Sequence, residues 1–238
     1  MLTVEVGGSS VQAVTFDRAG DISQRAIARI VPLADHRADD WLLASPGLVD
    51  GDRVRGAHHL DWMDVRPSKE LGMFKPPLLG LNDAEASALG EWVVQGKPDG
   101  VMFSIVIGTG VGASLVADHV VTPVEFGHLP GFGPNTCGGC GAQCLDAQIG
   151  GHALPDPLDA DDIERLVDLL AVAVAIARQT FTADRLVLSG GIPRRYPEIA
   201  IALEDLSGLP TLRSACPVEF KSAAPFGLMH AWQRSQSR

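Results

Sequence analysis

Apolar and polar positions alternate from the second residue onward. LTVEV, VQAVTF and ISQRAIARI read as three strands separated by the turn signals GGSS and DRAGD, which is the pattern of a β-meander. Residues 32–40 carry no clear periodicity. WLLASPGLVDG reads as a buried strand running into a Pro-Gly turn, and PSKELGMF as a short helix. In PPLLGLNDAEASALGEWVV a strand gives way to a helix, with Asn82 as N-cap and Glu85 completing a capping box. VMFSIVIGTGVGASLVA reads as two strands joined by a Gly-rich turn. DADDIERLVDLLAVAVAIARQTF predicts the strongest helix: acidic first turn, Arg178 near its end, apolar residues at helical spacing. RLVLSGGIPRR reads as a strand ending in a Gly-Gly turn. YPEIAIALEDL, TLRSA and APFGLMHAWQR then read as helix, strand and helix. Strands dominate the first third and βα alternation the rest. The predicted class is α/β, with two related lobes around a cleft.

Composition narrows the function classes. With 238 residues, 46% of them hydrophobic, the chain has length and apolar content for one large domain or two small ones. Its formal charge of −10 and lack of a basic run give no electrostatic footprint for nucleic acid and disfavour an anionic membrane surface. The start, MLTVEVGGSS, lacks the basic and apolar runs of a signal peptide. LLAVAVAIA, residues 169–177, is too short to span a bilayer. A cytoplasmic location is expected. There, clustered cysteines point to metal ligands or redox thiols rather than structural disulfides.

Three sets of residues suit chemistry. In EFGHLPGFGPNTCGGCGAQCLD, Cys137, Cys140 and Cys144 are spaced C-x2-C-x3-C after His128. Three thiolates and an imidazole suit a closed, structural, tetrahedral zinc site, against the alternative of unliganded reduced thiols in a Gly-rich loop. Cys216 stands apart and reads as a small core residue. Gly7-Gly8-Ser9-Ser10, Gly108-Thr109-Gly110-Val111-Gly112 and Ser189-Gly190-Gly191 each follow a predicted strand. Their backbone amides suit phosphate oxygens, although each alone reads equally as a tight turn. Asn82-Asp83 lies where a strand meets a helix. Asp83 is either a general base for a hydroxyl or a plain first-turn residue.

Taken in order, these motifs resemble those of the ROK family (repressors, open reading frames and sugar kinases) of the actin-like sugar kinase and Hsp70 superfamily. The resemblance rests on VEVGGSSVQAVTFDRAGDI, SPGLVDGDRV, LNDAEASALGE, VIGTGVG, EFGHLPG with its cysteines, and LVLSGGI, which span nearly the whole chain. It implies two actin-like, ribonuclease H-like lobes of mixed sheet flanked by helices, here taken as residues 1–81 and 82–238. It also implies phosphorylation of a hydroxyl of a hexose or hexose-like sugar by ATP, as in a glucokinase. Asp83 would be the catalytic base, and Asn82, Glu125 and His128 the sugar ligands. His128 would also bind zinc through its other ring nitrogen, so that the metal fixes the loop presenting Glu125 and His128. Gly7, Gly8, Ser9, Gly108, Thr109, Gly110, Gly190 and Gly191 would contact the nucleotide, with magnesium travelling on ATP.

Several residues depart from the family pattern. Its first motif is usually Asp-x-Gly-Gly-Thr. Here Glu5 and Ser9 stand in it, with Glu5 expected to reach a hydrated magnesium. His59-Leu60 replaces an Asn-Leu pair, the middle cysteine is Cys140 with Gly139 in the usual place, and Asp146 replaces a Glu. His59 and Asp146 are thereby expected at sugar contacts that differ from the family's. A helix before the Pro-Gly strand, part of the region after the cysteines and the segment before Glu125 are trimmed. Trimming suggests a homodimer that covers the exposed surface. The alternative function is a sugar-binding sensor of the same fold that has lost kinase activity. The chain starts at the first strand of the fold, which together with its acidity argues against a DNA-binding repressor.

Overall fold

The computed structural model describes residues 1–17, 28–31, 33 and 39–237. The DRAGD turn beyond Asp17, the start of the third strand and most of the 32–40 stretch lie outside the described residues. The chain forms two compact units, residues 1–97 with 216–238, and residues 98–215.

The first unit opens with β1 (Leu2–Val6), β2 (Val11–Phe16) and β3 (Ala28–Val31), paired antiparallel as the alternation predicts. β4 (Trp41–Ser45) then joins β1 in parallel. Every residue of β4 is buried, which explains why WLLAS shows no alternation. β5 (Leu48–Val49), β6 (Val54–Ala57) and β7 (Trp62–Val65) make a small antiparallel sheet that the sequence does not reveal. Its Val54 and Ala57 pack in one cluster with Leu2, Val4, Trp41 and Leu43 of the main sheet. After the one-turn α1 (Pro67–Glu70), β8 (Leu79–Asn82) pairs parallel to β4 and runs straight into α2 (Asp83–Val94). The main sheet has the order β3-β2-β1-β4-β8.

The second unit repeats that plan. β9 (Met102–Ile107), β10 (Val111–Ala117) and β11 (Val120–Val124) form an antiparallel meander. The short α3 (Asp146–Ile149) and the long α4 (Ala160–Phe181) follow. β12 (Arg185–Ser189), α5 (Gly191–Arg195), α6 (Glu198–Ser207) and β13 (Thr211–Arg213) complete the unit. β12 lies parallel between β9 and β13, so the order is β11-β10-β9-β12-β13. In both sheets the third strand of the meander is at the edge, and two parallel strands extend the sheet from the first. The expectation of related lobes holds in topology. α4 starts on a capping box between Asp159 and Asp162. It buries Leu166, Leu170, Ala173, Val174 and Ala177, at the spacing of one helix face, against Phe103, Ile105, Leu186 and Leu188 of the sheet. The apolar run within residues 169–177 is therefore one face of a packed helix. Among the described residues no helix is long and apolar enough to cross a membrane.

The chain then returns to the first unit with α7 (Ala224–Gln236), which packs on α2. The backbones meet at two glycines. A Cβ on Gly90 would lie 1.9 Å from the Ala223 carbonyl oxygen, and one on Gly227 2.0 Å from that of Ala86. This pairing moves the division of the chain. The boundary expected after residue 81 falls inside the first unit, because α2 is held there by a helix from the far end of the sequence.

Gly90→Ala and Gly227→Ala should each lower the urea midpoint of unfolding. A methyl against a backbone carbonyl costs up to about 3 kcal/mol, and the helix propensity of Ala returns only ~1 kcal/mol. An unchanged midpoint in both variants would contradict the close crossing.

Candidate active site and metal loop

The first unit gathers carboxylates at the ends of its parallel strands. Asn82 is the last residue of β8. Its Oδ1 accepts from the backbone N–H of Ala84 at 2.9 Å and of Glu85 at 3.4 Å, while Glu85 Oε2 accepts from the Asn82 N–H at 3.1 Å. This is the capping box that the sequence predicts. Asn82 Nδ2 donates to the Gly47 carbonyl at 3.1 Å, which ties the Pro-Gly turn to the start of α2. Gly47 has φ +82°, and a Cβ there would sit 2.5 Å from the Arg55 carbonyl oxygen, so the turn needs glycine. Asp83 accepts from the Ala84 N–H at 3.0 Å. Burial pushes its carboxyl up to about 7, and the negative charge of Glu5 pushes the same way; the Ala84 N–H and the Lys221 ammonium oppose them more weakly. A carboxyl poised near neutrality suits a proton acceptor.

Glu5 lies near the end of β1 and is 5% exposed. Ser222 Oγ donates to its Oε2 at 2.7 Å, and Lys221 Nζ stands 3.8 Å from its Oε1. Burial raises its pKa against the pull of Lys221 and Ser222. Gly7, Gly8 and Ser9 form the β1–β2 hairpin, closed by the Gly7 N–H on the Ser10 carbonyl at 3.0 Å. Lys221 Nζ donates to that same carbonyl at 3.2 Å. Sequence reasoning missed Lys221 and Ser222. They lie more than 200 residues from Glu5 and Ser10, and no local pattern marks them. His59 sits in an exposed 3₁₀ turn, His58–Leu60, between β6 and β7.

In the second unit, β11 leads through the exposed Glu125 into a 3₁₀ turn, Phe126–His128. The glycine of the Glu-x-Gly-His motif has a steric cause: a Cβ on Gly127 would lie 2.0 Å from the Val111 carbonyl oxygen. His128 Nδ1 is 3.8 Å from Cys137 Sγ and 3.7 Å from Cys144 Sγ. With Cys140, the four ligand atoms lie within 4.8 Å of one another. A tetrahedron of ~2.3 Å Zn–S bonds has edges of about 3.8 Å, so the donor set fits zinc in size and chemistry. The displaced Cys140 still joins the cluster, because the Gly-rich loop turns back on itself. Gly141 N–H donates to the Cys137 carbonyl at 2.9 Å, and Gly139 N–H to Cys137 Sγ at 3.4 Å. Since Nδ1 faces the sulfurs, Nε2 of His128 is the nitrogen left for another partner. Cys216 is buried in the first unit, as a core residue.

Asp146, expected at a sugar contact, is placed on the cysteine loop. It is 3% exposed, and its Oδ1 accepts from the Val111 N–H at 2.7 Å. Its Oδ2 lies 3.9 Å from both Cys137 Sγ and His152 Nε2. The carboxylate is thus engaged in tying the cysteine loop to the start of β10. The Gly-rich turns of this unit converge. Gly108 and Thr109 offer their carbonyls to the N–H groups of Gly151 and His152 at 2.9 and 3.0 Å. Gly190, with φ +100°, would place a Cβ 2.3 Å from the Ile107 carbonyl oxygen. Gly108–Gly110 and Gly190–Gly191 therefore sit together at the ends of the neighbouring strands β9 and β12.

The model of the ROK family matches residues 1–160. The chain belongs to the ROK family. A glucokinase of Thermotoga maritima is 25% identical, over 73% of this chain and 71% of that protein. The fold is shared with a ROK glucokinase from Streptomyces griseus, solved in complex with glucose and AMPPNP, at a TM-score of 0.71 and 17% identity; the match covers 100% of both chains. It is also shared with a ROK transcriptional regulator, a homologue of the E. coli MLC protein, at a TM-score of 0.69 and 18% identity, covering 98% of this chain and 78% of that one. The actin-like lobes that the sequence implies are thus the lobes of the ROK fold.

The raised carboxyl of Asp83 has a consequence for stability. A carboxyl that holds its proton more tightly when folded stabilises the fold fully below about pH 4, and that contribution is lost as pH rises through about 7. Asp83→Asn, which carries no charge, should unfold at higher denaturant than the parent at pH 8, by ~1 kcal/mol or more, and alike at pH 4. Equal midpoints at pH 8 would mean that Asp83 pays no cost for its charge.

Proposed function

We propose that this ROK chain is a sugar kinase that transfers the γ-phosphoryl group of ATP to a hydroxyl of a hexose or hexose-like sugar, with Asp83 as the proton acceptor. The observation that carries the reading is the Asp83 carboxyl, poised near neutrality at the β8–α2 junction behind a fully formed cap. Asn82, Glu125 and His128 hold the sugar. Asn82 serves both as cap and as ligand: its Oδ1 accepts from Ala84 and Glu85, and its Nδ2, which gives one hydrogen to Gly47, offers the second to the sugar. Asp83 takes the proton of the sugar hydroxyl as that oxygen attacks the γ-phosphorus. The bond to the bridging oxygen breaks, and ADP leaves. The hairpin of Gly7, Gly8 and Ser9, the turn of Gly108, Thr109 and Gly110, and the pair Gly190 and Gly191 supply backbone N–H groups for the nucleotide.

Two metals belong to the proposal. Magnesium comes with ATP and neutralises its phosphates. His128, Cys137, Cys140 and Cys144 would hold zinc, which with four protein ligands would supply rigidity rather than reactivity. Through His128 the cluster would hold in place the 3₁₀ turn that follows Glu125. A homodimer is part of the same reading; Val172 and Ile176, exposed one turn apart on α4, offer it an apolar surface.

Asp83→Asn should leave the dissociation constant for the sugar within about twofold and lower kcat by roughly 10²–10⁴-fold, the range for loss of a general base. Wild-type kcat should fall on the acid side of about pH 7. Of the charged groups acting on Asp83, Glu5 raises this limb and Lys221 lowers it, so Glu5→Gln should move it to lower pH. A wild-type protein that binds a sugar yet phosphorylates none with ATP, GTP or polyphosphate would replace the kinase with the sensor.

Elemental analysis should find about one zinc per chain. Cys137→Ser or Cys144→Ser should lose it and weaken sugar binding as well as stability. Zinc-free protein prepared without chelators, or a disulfide inside the cluster, would defeat the metal assignment.

A further inference from the structure

The kinase reading gives no task to the Lys221 ammonium, which lies against the β1–β2 hairpin. Its position has three features. Nζ donates to the carbonyl of Ser10, in an exposed turn, at 3.2 Å. It lies over Gly7: a Cβ there would be 2.2 Å from Nζ, so a side chain at this position would displace the ammonium. Its side chain remains 34% exposed, while the side chain of Glu5 beside it is only 7% exposed.

A plain structural ion pair would look different. Glu5 Oε1 stands 3.8 Å from Nζ, too far for a hydrogen bond, and the close hydrogen bond of Glu5 goes to Ser222 at 2.7 Å. The ammonium is therefore held in place by charge while its donors are not consumed by the carboxylate. An ammonium has three N–H donors, and it acts as a compact point charge that suits phosphate oxygens. Electrostatics adds a reason for a cation here. Glu5 and Asp83 are close enough for the charge of Glu5 to raise the pKa of Asp83, and two such carboxylates repel a polyanionic donor. Lys221 acts against both, lowering the pKa of each.

We propose that Lys221 is the phosphate ligand of the β1–β2 hairpin, that its ammonium binds the terminal phosphate oxygens of the phosphoryl donor, and that Glu5 with Ser222 anchors this cation rather than a magnesium ion. The identity of the ligand as a phosphoryl donor rests on the kinase reading. The chemistry recognised is a terminal phosphate chain, whether it belongs to a nucleoside triphosphate or to an inorganic polyphosphate. Gly7 keeps the floor of the hairpin bare for the ammonium, and the backbone N–H groups of the turn complete the cradle.

The test is calorimetric binding of AMPPNP with magnesium, AMP and inorganic tripolyphosphate to wild type, Lys221→Met and Lys221→Arg, with sugar binding as the control for folding. Lys221→Met should weaken AMPPNP by roughly 10-fold or more, the loss of one charge-assisted hydrogen bond, and leave AMP and the sugar within twofold. Lys221→Arg should recover most of the loss. Tripolyphosphate binding that also depends on Lys221 assigns a polyphosphate donor as well; AMPPNP dependence alone assigns the nucleotide. AMPPNP binding unchanged in a Lys221→Met protein that still binds sugar would overturn the proposal, as would an equal loss of AMP. If Lys221→Met fails to fold, Lys221→Gln replaces it under the same criteria. The two readings fail separately. Lys221-dependent AMPPNP binding without any sugar phosphorylation removes the kinase and keeps the phosphate ligand, whereas normal transfer by Lys221→Met with unchanged KM for ATP does the reverse. A wild-type protein that binds neither AMPPNP nor tripolyphosphate removes both.

Discussion

The crossing of α2 and α7 at two bare backbones is the constraint on which the first unit depends. Gly90 lies under the Ala223 carbonyl and Gly227 against that of Ala86, so the helices approach with no side chain between them. That approach fixes the short segment ahead of α7, and with it Lys221 and Ser222, beside the end of β1. Glu5 can be buried because Ser222 and Lys221 reach it there. Buried charge on Glu5 in turn helps to raise the Asp83 carboxyl. Packing between two helices thus adds, through Glu5, to the effect of burial on a carboxyl at the start of one of them.

The second unit uses a different device for the same end. Its chemistry-bearing loop is too rich in glycine to hold itself, and its order comes from many polar ties. Asp146 joins it to β10 through the Val111 N–H, Pro130 pairs with Cys144 across the loop, and the four donor atoms converge. Gly127 allows the Glu125–His128 turn to lie directly on the Val111 carbonyl. Val111 therefore meets both, the cysteine loop through its N–H and the turn through the carbonyl that the turn lies against.

What was legible in the sequence was local. The Asn82–Glu85 capping box, the meanders, the α4 face and the cysteine spacing all lie within a few turns or strands of chain, where periodicity and side-chain chemistry act directly. The cluster of His128 with three cysteines also survives the one-position shift of Cys140, because glycine leaves the loop free to adjust. Illegible features depended on distance or brevity. Strands of two to four residues, as in β5–β7, are too short to show alternation. Lys221 and Ser222 acquire meaning only when α7 returns across more than 200 residues. The hydrogen bond that Asp146 accepts from the Val111 N–H, across 35 residues, is likewise invisible in the local pattern. The boundary after residue 81 was misplaced for the same reason as Lys221 was missed.

The return of α7 also bears on how the chain emerges during synthesis. All of residues 98–215 leave the ribosome before residues 216–238, which complete the first unit. The later-encoded unit can therefore close its core while the earlier one still lacks a helix, the reverse of the usual N-terminal-first order. Until α7 arrives, the apolar side of α2 and the central strands beneath it are uncovered, and the nascent first unit is the part that a chaperone would have to shield.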